Sequence, residues 1–116
     1  MKHTITLKQN HEFRRLYTKG KTAASPYLAL YCRKNRLGIS RIGLTTGVKL
    51  GHAVQRNRVR RRLREIYRTN EERFLSGWDI VVVARVKSVY AHYGELEHSF
   101  LKLARKLELL NPEEQA

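Results

Sequence analysis

Apolar residues recur at helical spacing in three stretches of the chain, with short strand-like runs between them. In His11–Lys19, Phe13, Leu16 and Tyr17 fall at i, i+3 and i+4, the buried face of a short helix. Asn10 suits its N-cap and Gly20 its stop. After Pro26, the run Tyr27-Leu28-Ala29-Leu30-Tyr31-Cys32 is rich in aromatic residues and reads as a strand. Asn35, Gly38 and Ser40 mark a turn before a second strand, Arg41–Thr46. From about Ala53 to Thr69, Val59, Leu63, Ile66 and Tyr67 share one face of a longer helix. Ser76-Gly77 breaks the chain, and the run Ile80-Val81-Val82-Val83-Ala84 predicts a strand covered on both faces. Leu96, Phe100, Leu103, Leu107 and Leu110 then step along one stripe of a last helix. No repeat, low-complexity tract or linker divides these elements. We expect one domain over residues 1–116, with ends that fray at about 1–6 and 111–116. The fold class is an α/β (α+β) sandwich, a small four-stranded sheet with three helices in the order αβββαβα.

Alternation separates two kinds of residue on these strands. Leu28, Leu30 and Cys32 point one way and suit a core beneath helices, whereas Tyr27, Ala29 and Tyr31 point the other way. On the second strand Arg41, Gly43 and Thr45 alternate with Ile42, Leu44 and Thr46. One sheet face is therefore smaller, more polar and more aromatic. With Phe13 and Tyr17 beside it, that face forms either a shallow groove with rings open to bases or a small core under the first helix. The two readings are partly compatible.

Charge changes the picture. The chain has 116 residues and a net charge of +14, from 24 Lys and Arg against 10 Asp and Glu. So large an excess in one small fold repels itself, and a polyanionic partner relieves it. At 41% hydrophobic the chain has apolar material for one core, which excludes global disorder. No apolar run reaches the roughly 20 residues of a membrane helix, so no membrane role is expected. The start of the chain carries no apolar stretch of secretory-signal length. A single cysteine, Cys32, excludes an internal disulfide and fits a reducing, cytoplasmic location.

The positive charge is concentrated. Arg56, Arg58, Arg60, Arg61, Arg62, Arg64 and Arg68 place seven of the fifteen arginines within thirteen positions, interrupted by one acid, Glu65. Guanidinium groups bind phosphate bidentately and stack on bases. A solvated, salt-bridged helix face would need acidic partners at helical spacing, and these are almost absent. At about 100° per residue, Arg61, Arg64 and Arg68 project directly away from Val59, Leu63 and Ile66. Arg58 and Arg62 lie to one flank and Arg60 to the other, while Arg56 falls near the apolar side.

Protein-borne chemistry finds no support. There is no P-loop, no GxGxxG and no His/Cys cluster at zinc spacing. The carboxylates do not pair as acid and base, His92 and His98 lack triad partners, and Cys32 faces the core. No catalytic and no metal-binding residue is expected.

The segment Gly51-His52-Ala53-Val54-Gln55-Arg56-Asn57-Arg58-Val59-Arg60-Arg61 resembles the signature of the bacterial ribonuclease P protein component, centred on Arg56-Asn57-Arg58. Leu7-Lys8, Glu12-Phe13, Leu16-Tyr17 and Gly20 are similar to the family's first helix, and Ile42-Gly43-Leu44, Asp79-Ile80-Val81 and Ala84-Arg85 follow in register. The resemblance spans roughly Leu7 to Leu107. It implies a subunit that helps a catalytic RNA remove the 5′ leader from precursor tRNA, with hydrolysis performed by RNA and Mg²⁺. No cofactor is then bound by protein side chains, and Mg²⁺ belongs at the RNA active site. The resemblance maps Arg56, Asn57, Arg58, Arg60, Arg61, Arg62, Arg64, Arg68 and Lys49 to the catalytic RNA. It maps Phe13, Tyr17, Ala29, Tyr31 and Thr45 to the single-stranded leader, with Arg56 bridging the two. It also implies a left-handed βαβ crossover, against the usual right-handed rule, and a monomer within a 1:1 ribonucleoprotein. Gly47-Val48-Lys49 departs from the family's frequent Ser-Lys-Lys, Thr6 stands where an Arg commonly precedes Leu7, and Tyr17 replaces a frequent Phe. The competing reading is a general RNA-binding or ribosomal-type protein without a role in tRNA processing. A DNA-binding helix-turn-helix is disfavoured because the arginines leave no clear face for base readout.

Overall fold

Strands whose alternate residues are apolar assemble into one sheet with a helix layer on each side. The computed structural model describes residues 3–115. Its strands are β1 (Thr4–Thr6), β2 (Lys21–Ala24), β3 (Leu28–Lys34), β4 (Ser40–Thr45) and β5 (Trp78–Ala84). They lie in the order β1-β4-β5-β3-β2. β1 and β5 flank β4 in parallel, and β3 runs antiparallel to both β5 and β2. The helices are α1 (Asn10–Lys19), α2 (Ala53–Asn70), α3 (Tyr93–Lys106) and the single-turn α4 (Pro112–Gln115).

The sheet is thus five-stranded and mixed and is accompanied by four helices, which corrects the expected four strands and three helices. The additions fall in the segments expected to fray, of which Met1, Lys2 and Ala116 lie outside the described residues. Thr4–Thr6 is too short to show a period, and β4 supplies its pairing partners: Thr4 opposite Ser40, Ile5 opposite Arg41, Thr6 opposite Ile42. The Thr4 hydroxyl meets the Tyr67 hydroxyl at 2.8 Å in the interior, fixing the strand to α2. At the other end, the Asn111 N–H donates to the Arg73 carbonyl (2.8 Å) and the Gln115 amide donates to the Arg105 carbonyl (3.0 Å). Both ends are held by residues far away in sequence, which local pattern cannot show.

The main core lies between the sheet and α2 with α3. Leu28, Leu30 and Cys32 of β3 and Ile80, Val82 and Ala84 of β5 meet Val59, Leu63 and Ile66 of α2 and Leu96, Phe100 and Leu103 of α3. Tyr67, Phe74 and Phe100 form an aromatic trio, with centroids 5.2 Å apart for Tyr67–Phe74 and 5.5 Å for Phe74–Phe100. Burial pushes the Cys32 thiol up to about 11, so it stays protonated and unreactive.

α1 packs on the opposite face through a smaller core of Leu7, Leu16 and Val81, with Phe13, Tyr31 and Val83 half-buried around it. Two glycines let the helix sit this low. A Cβ on Gly43 would lie 2.6 Å from the tip of the Phe13 ring, and one on Gly20, at the end of the helix, would lie 2.9 Å from the Cys32 carbonyl oxygen of β3. Arg41 of β4 then ties α1 to the sheet. Its guanidinium donates to Asp79 through Nε (2.8 Å) and Nη2 (2.7 Å), and Nη1 pairs with Glu12 of α1.

Candidate nucleic-acid interface

Eighteen residues of α2 carry the arginines, and their surroundings sort them into distinct groups. Arg58, Arg61 and Arg64 are exposed and make no ion pair among the described residues. Arg68 is also exposed but is bound by Glu65, whose carboxyl it holds below the ordinary value. Arg60 is half-buried and donates from Nη2 to the Thr46 hydroxyl at 2.8 Å. Arg62 is half-buried on the other flank and donates from Nη1 to the Ala91 carbonyl at 2.9 Å. Those two arginines therefore work partly inside the protein, fastening α2 to the end of β4 and to the loop before α3. Arg56, in the first turn, is half-buried as well. The Nε–H groups of Arg56 and Arg60 are buried without a hydrogen-bond partner, an unusual condition that costs about 1–3 kcal/mol per donor. Asn57 is exposed on the outward side, and Lys49 is exposed in the short 3₁₀ turn Val48–Leu50 that precedes the helix. His52 and Gln55 close the start of α2 with a reciprocal capping box.

On the far side of the sheet, β-sheet register assembles two rows beneath and beside α1. Tyr31, Val81 and Gly43 form one row, and Ala29, Val83 and Thr45 the next. The Tyr17 ring stands edge-on to Tyr31, with centroids 4.9 Å apart and planes at 79°. Its hydroxyl is 3.4 Å from that of Thr45. Asn10, Phe13, Arg14, Tyr17 and Thr45 line an open hollow there. This face is half-open. Phe13 and Tyr31 lend one side to the small core and keep the other open, and Tyr17 is 41% exposed. Thus Phe13, Tyr17, Ala29, Tyr31 and Thr45 come together on one face, while Arg56 sits at the start of α2 across the sheet.

Val83, Asn10 and Arg14 also belong to this region; sequence reasoning did not single out Val83 or Arg14 and took Asn10 for the helix cap, a position that Gln9 holds instead, with Asn10 the first helical residue. Val83 lies in an unbroken apolar run that gives no hint of facing, although a period of two counted from the register of β3 would have found it. Arg14 follows Phe13, and no local pattern marks it as lining the same face.

Among the described residues, no group of three or more His, Cys, Asp or Glu side chains could hold a metal ion. No described helix is long and apolar enough to cross a membrane.

A mixed α+β fold with a cationic helix on one side and a half-open aromatic sheet face on the other defines a small nucleic-acid-binding protein. The chain belongs to the ribonuclease P protein family, whose model "Ribonuclease P" matches residues 1–108. It is thereby a protein component of an endoribonuclease ribonucleoprotein, with RNA as its partner. The ribonuclease P protein component of Natranaerobius thermophilus is 38% identical over 110 residues, covering 95% of this chain and 96% of that one. That of Clostridioides difficile is 39% identical over 107 residues, covering 91% and 94%. Among solved structures, the Staphylococcus aureus ribonuclease P protein superposes with a TM-score of 0.84 at 28% identity, covering 91% of this chain and 97% of that one. The Thermotoga maritima protein gives 0.78 at 30% identity, covering 84% and 93%.

Proposed function

We propose that this chain holds two RNAs on two surfaces, the ribonuclease P catalytic RNA on α2 and the single-stranded 5′ leader of precursor tRNA in the groove beside α1. The observation that carries the reading is the separation of charge from aromatic surface by the sheet. Unpaired guanidinium groups on the outer side of α2 suit the dense phosphate array of a folded RNA. Tyr17, Tyr31 and Phe13 offer ring faces and edges on which bases of any sequence stack, worth about 1–3 kcal/mol per base. Arg58, Arg61 and Arg64, with Asn57, Arg68 and Lys49, form the center of the first surface. Arg60 and Arg62 support it from the flanks, with Arg56 at the first turn of the helix. Phosphodiester hydrolysis then belongs to the RNA and its Mg²⁺ ions, and the protein contributes binding energy and orientation. The buried, unpaired Cys32 suits the reducing cytoplasm, where the chain works as a monomer within a 1:1 complex.

Reconstitution with a bacterial ribonuclease P RNA at low Mg²⁺ tests the reading. Leader cleavage is expected to rise on addition of the protein, and precursor tRNA to bind more tightly than mature tRNA. If precursor and mature tRNA bind equally and cleavage is unchanged, the chain is a general RNA-binding protein instead.

A further inference from the structure

The turn between β2 and β3 stands against the start of α3, on the side of the sheet away from α1. There Ser25, Pro26 and Tyr27 face Gly94, His98 and Lys102 across a hollow of about 400 Å³, a volume within the range that holds a small molecule. Hydrogen bonds fix the turn. The Ser25 hydroxyl accepts the N–H groups of Tyr27 (3.2 Å) and Leu28 (3.1 Å). The Arg85 N–H donates to the Tyr27 carbonyl at 2.9 Å, and Arg85 Nη1 donates to the Ser25 carbonyl at 3.1 Å. The hydroxyls of Ser25 and Ser99 meet at 2.6 Å and tie the turn to α3. Tyr27 precedes β3 and leaves the alternation of that strand. Its hydroxyl donates to Glu95 of α3 at 3.0 Å, and its ring packs on the main core, whereas Tyr31 packs on the small core under α1.

Gly94 lines the hollow from the first turn of α3. Its backbone is not left-handed, and a Cβ there would meet nothing within 4 Å. Neither conformation nor packing calls for glycine at this point, where alanine would favour the helix more. The missing side chain leaves the mouth of the hollow uncovered. The charged groups sit at opposite ends, because Glu95 and Lys102 are two helical turns apart, about 10 Å along the axis. Glu95 accepts the His92 N–H at 2.9 Å, and this bond, with that from the Tyr27 hydroxyl, holds its carboxyl below the ordinary value. A carboxylate has about four acceptor positions, so capacity remains for a further donor. At the other end Lys102 and His98, one turn apart, are exposed and make no hydrogen bond or ion pair among the described residues.

We propose that this hollow binds a single nucleotide whose base carries an amino group. The base lies against Pro26 and Tyr27 and donates its amino hydrogen to Glu95, and the phosphate meets Lys102 and His98. An acidic side chain accepts from the amino group of cytosine in the same way, and contact with the Tyr27 ring adds binding energy for any base. Uracil is disfavoured, since it turns a carbonyl oxygen toward Glu95 where cytosine offers a donor. The nucleotide comes either from solution or from an unpaired position of an RNA chain, and both present the same base and phosphate. Tyr27, Glu95, His98 and Lys102 belong to neither RNA surface described above, so the site stands independently of that reading.

Amide chemical shifts of the full chain, followed by NMR as nucleoside monophosphates are added at physiological ionic strength, test the site. CMP and GMP are expected to move Tyr27, Gly94 and Ser99 and to bind there about fivefold tighter than UMP. Glu95→Gln, which keeps a capping side chain, should abolish that preference and leave UMP unchanged. Lys102→Ala should cost CMP about tenfold and cytidine, which has no phosphate, nothing. Gly94→Leu fills the mouth and should abolish the shifts, with melting by circular dichroism confirming the fold. A nucleotide that moves only the amides of α2 overturns the site, as does an equal loss of CMP and cytidine in Lys102→Ala. A single-stranded cytidine tetranucleotide without a terminal phosphate identifies the source. Binding in the hollow as tight as that of CMP assigns an RNA chain, and no shift there assigns the free nucleotide. In the reconstituted holoenzyme, Gly94→Leu should leave leader cleavage and the preference for precursor tRNA unchanged. A loss of either would make the hollow part of the surfaces already described and overturn a separate site.

Discussion

Gly43 shows how much one missing side chain decides here. Its position in the row Tyr31–Val81–Gly43 places it directly beneath Phe13, and a methyl group there would meet the ring at 2.6 Å. The absent Cβ lets the ring lie on the sheet and lets α1 approach close enough to bury Leu16. Gly43→Ala is expected to lower stability by about 1–3 kcal/mol through overpacking. It should also displace Phe13 and weaken precursor tRNA binding more than mature tRNA binding. Thermal denaturation and a pair of binding titrations check both. Gly47→Ala, where a new Cβ meets nothing within 4 Å, is the control. The glycine was visible in the sequence as one member of an alternating strand. Its role was not, because Phe13 lies 30 positions away and reaches it only through the packing of α1.

At the scale of elements, α1 has a small core of its own, and the ion network around Arg41 fixes its register on the sheet. Arg41 is 21% exposed, and its partners Glu12 and Asp79 are 16% and 13% exposed, so solvent screens these pairs only in part. The Asp79 hydrogen bond holds the Arg41 guanidinium above its already high ordinary value. Arg41→Ala leaves two half-buried carboxylates facing each other without a cation, and we expect about 1–3 kcal/mol of lost stability. Because Phe13 and Tyr17 ride on α1, the same variant should narrow the affinity gap between precursor and mature tRNA. An unchanged gap in a destabilised but folded protein would show that α1 keeps its place without the network. The elements themselves were largely legible, since α2 and α3 announce themselves through their apolar stripes. β1, β2 and α4 were not, because segments of three or four residues carry no period and owe their form to partners such as Ile42, Cys32 and Arg73.

For the whole molecule, the net charge of +14 predicts strong, salt-sensitive RNA binding. The structure distributes that charge unevenly in purpose: Arg60 and Arg62 fasten α2, Arg41 fastens α1, Arg68 is paired with Glu65, and Arg58, Arg61 and Arg64 are left free of ion pairs among the described residues. Replacing Arg58 and Arg61 with Gln should flatten the log–log salt dependence of catalytic-RNA binding by about 0.7–0.9 per lost phosphate contact. Filter binding across a salt series measures the slope, and an unchanged slope would make them bystanders. The sequence by itself determined the α+β class, the apolar faces of the longer elements, the arginine helix and, through its Arg-Asn-Arg segment, the family. Each of these is written in local composition, period or motif. Only the tertiary structure decided which arginines are free and that Phe13 and Tyr31 are half-buried against the small core while Tyr17 stays open. Those properties depend on contacts between residues tens of positions apart, and such contacts exist only once the chain has closed on itself.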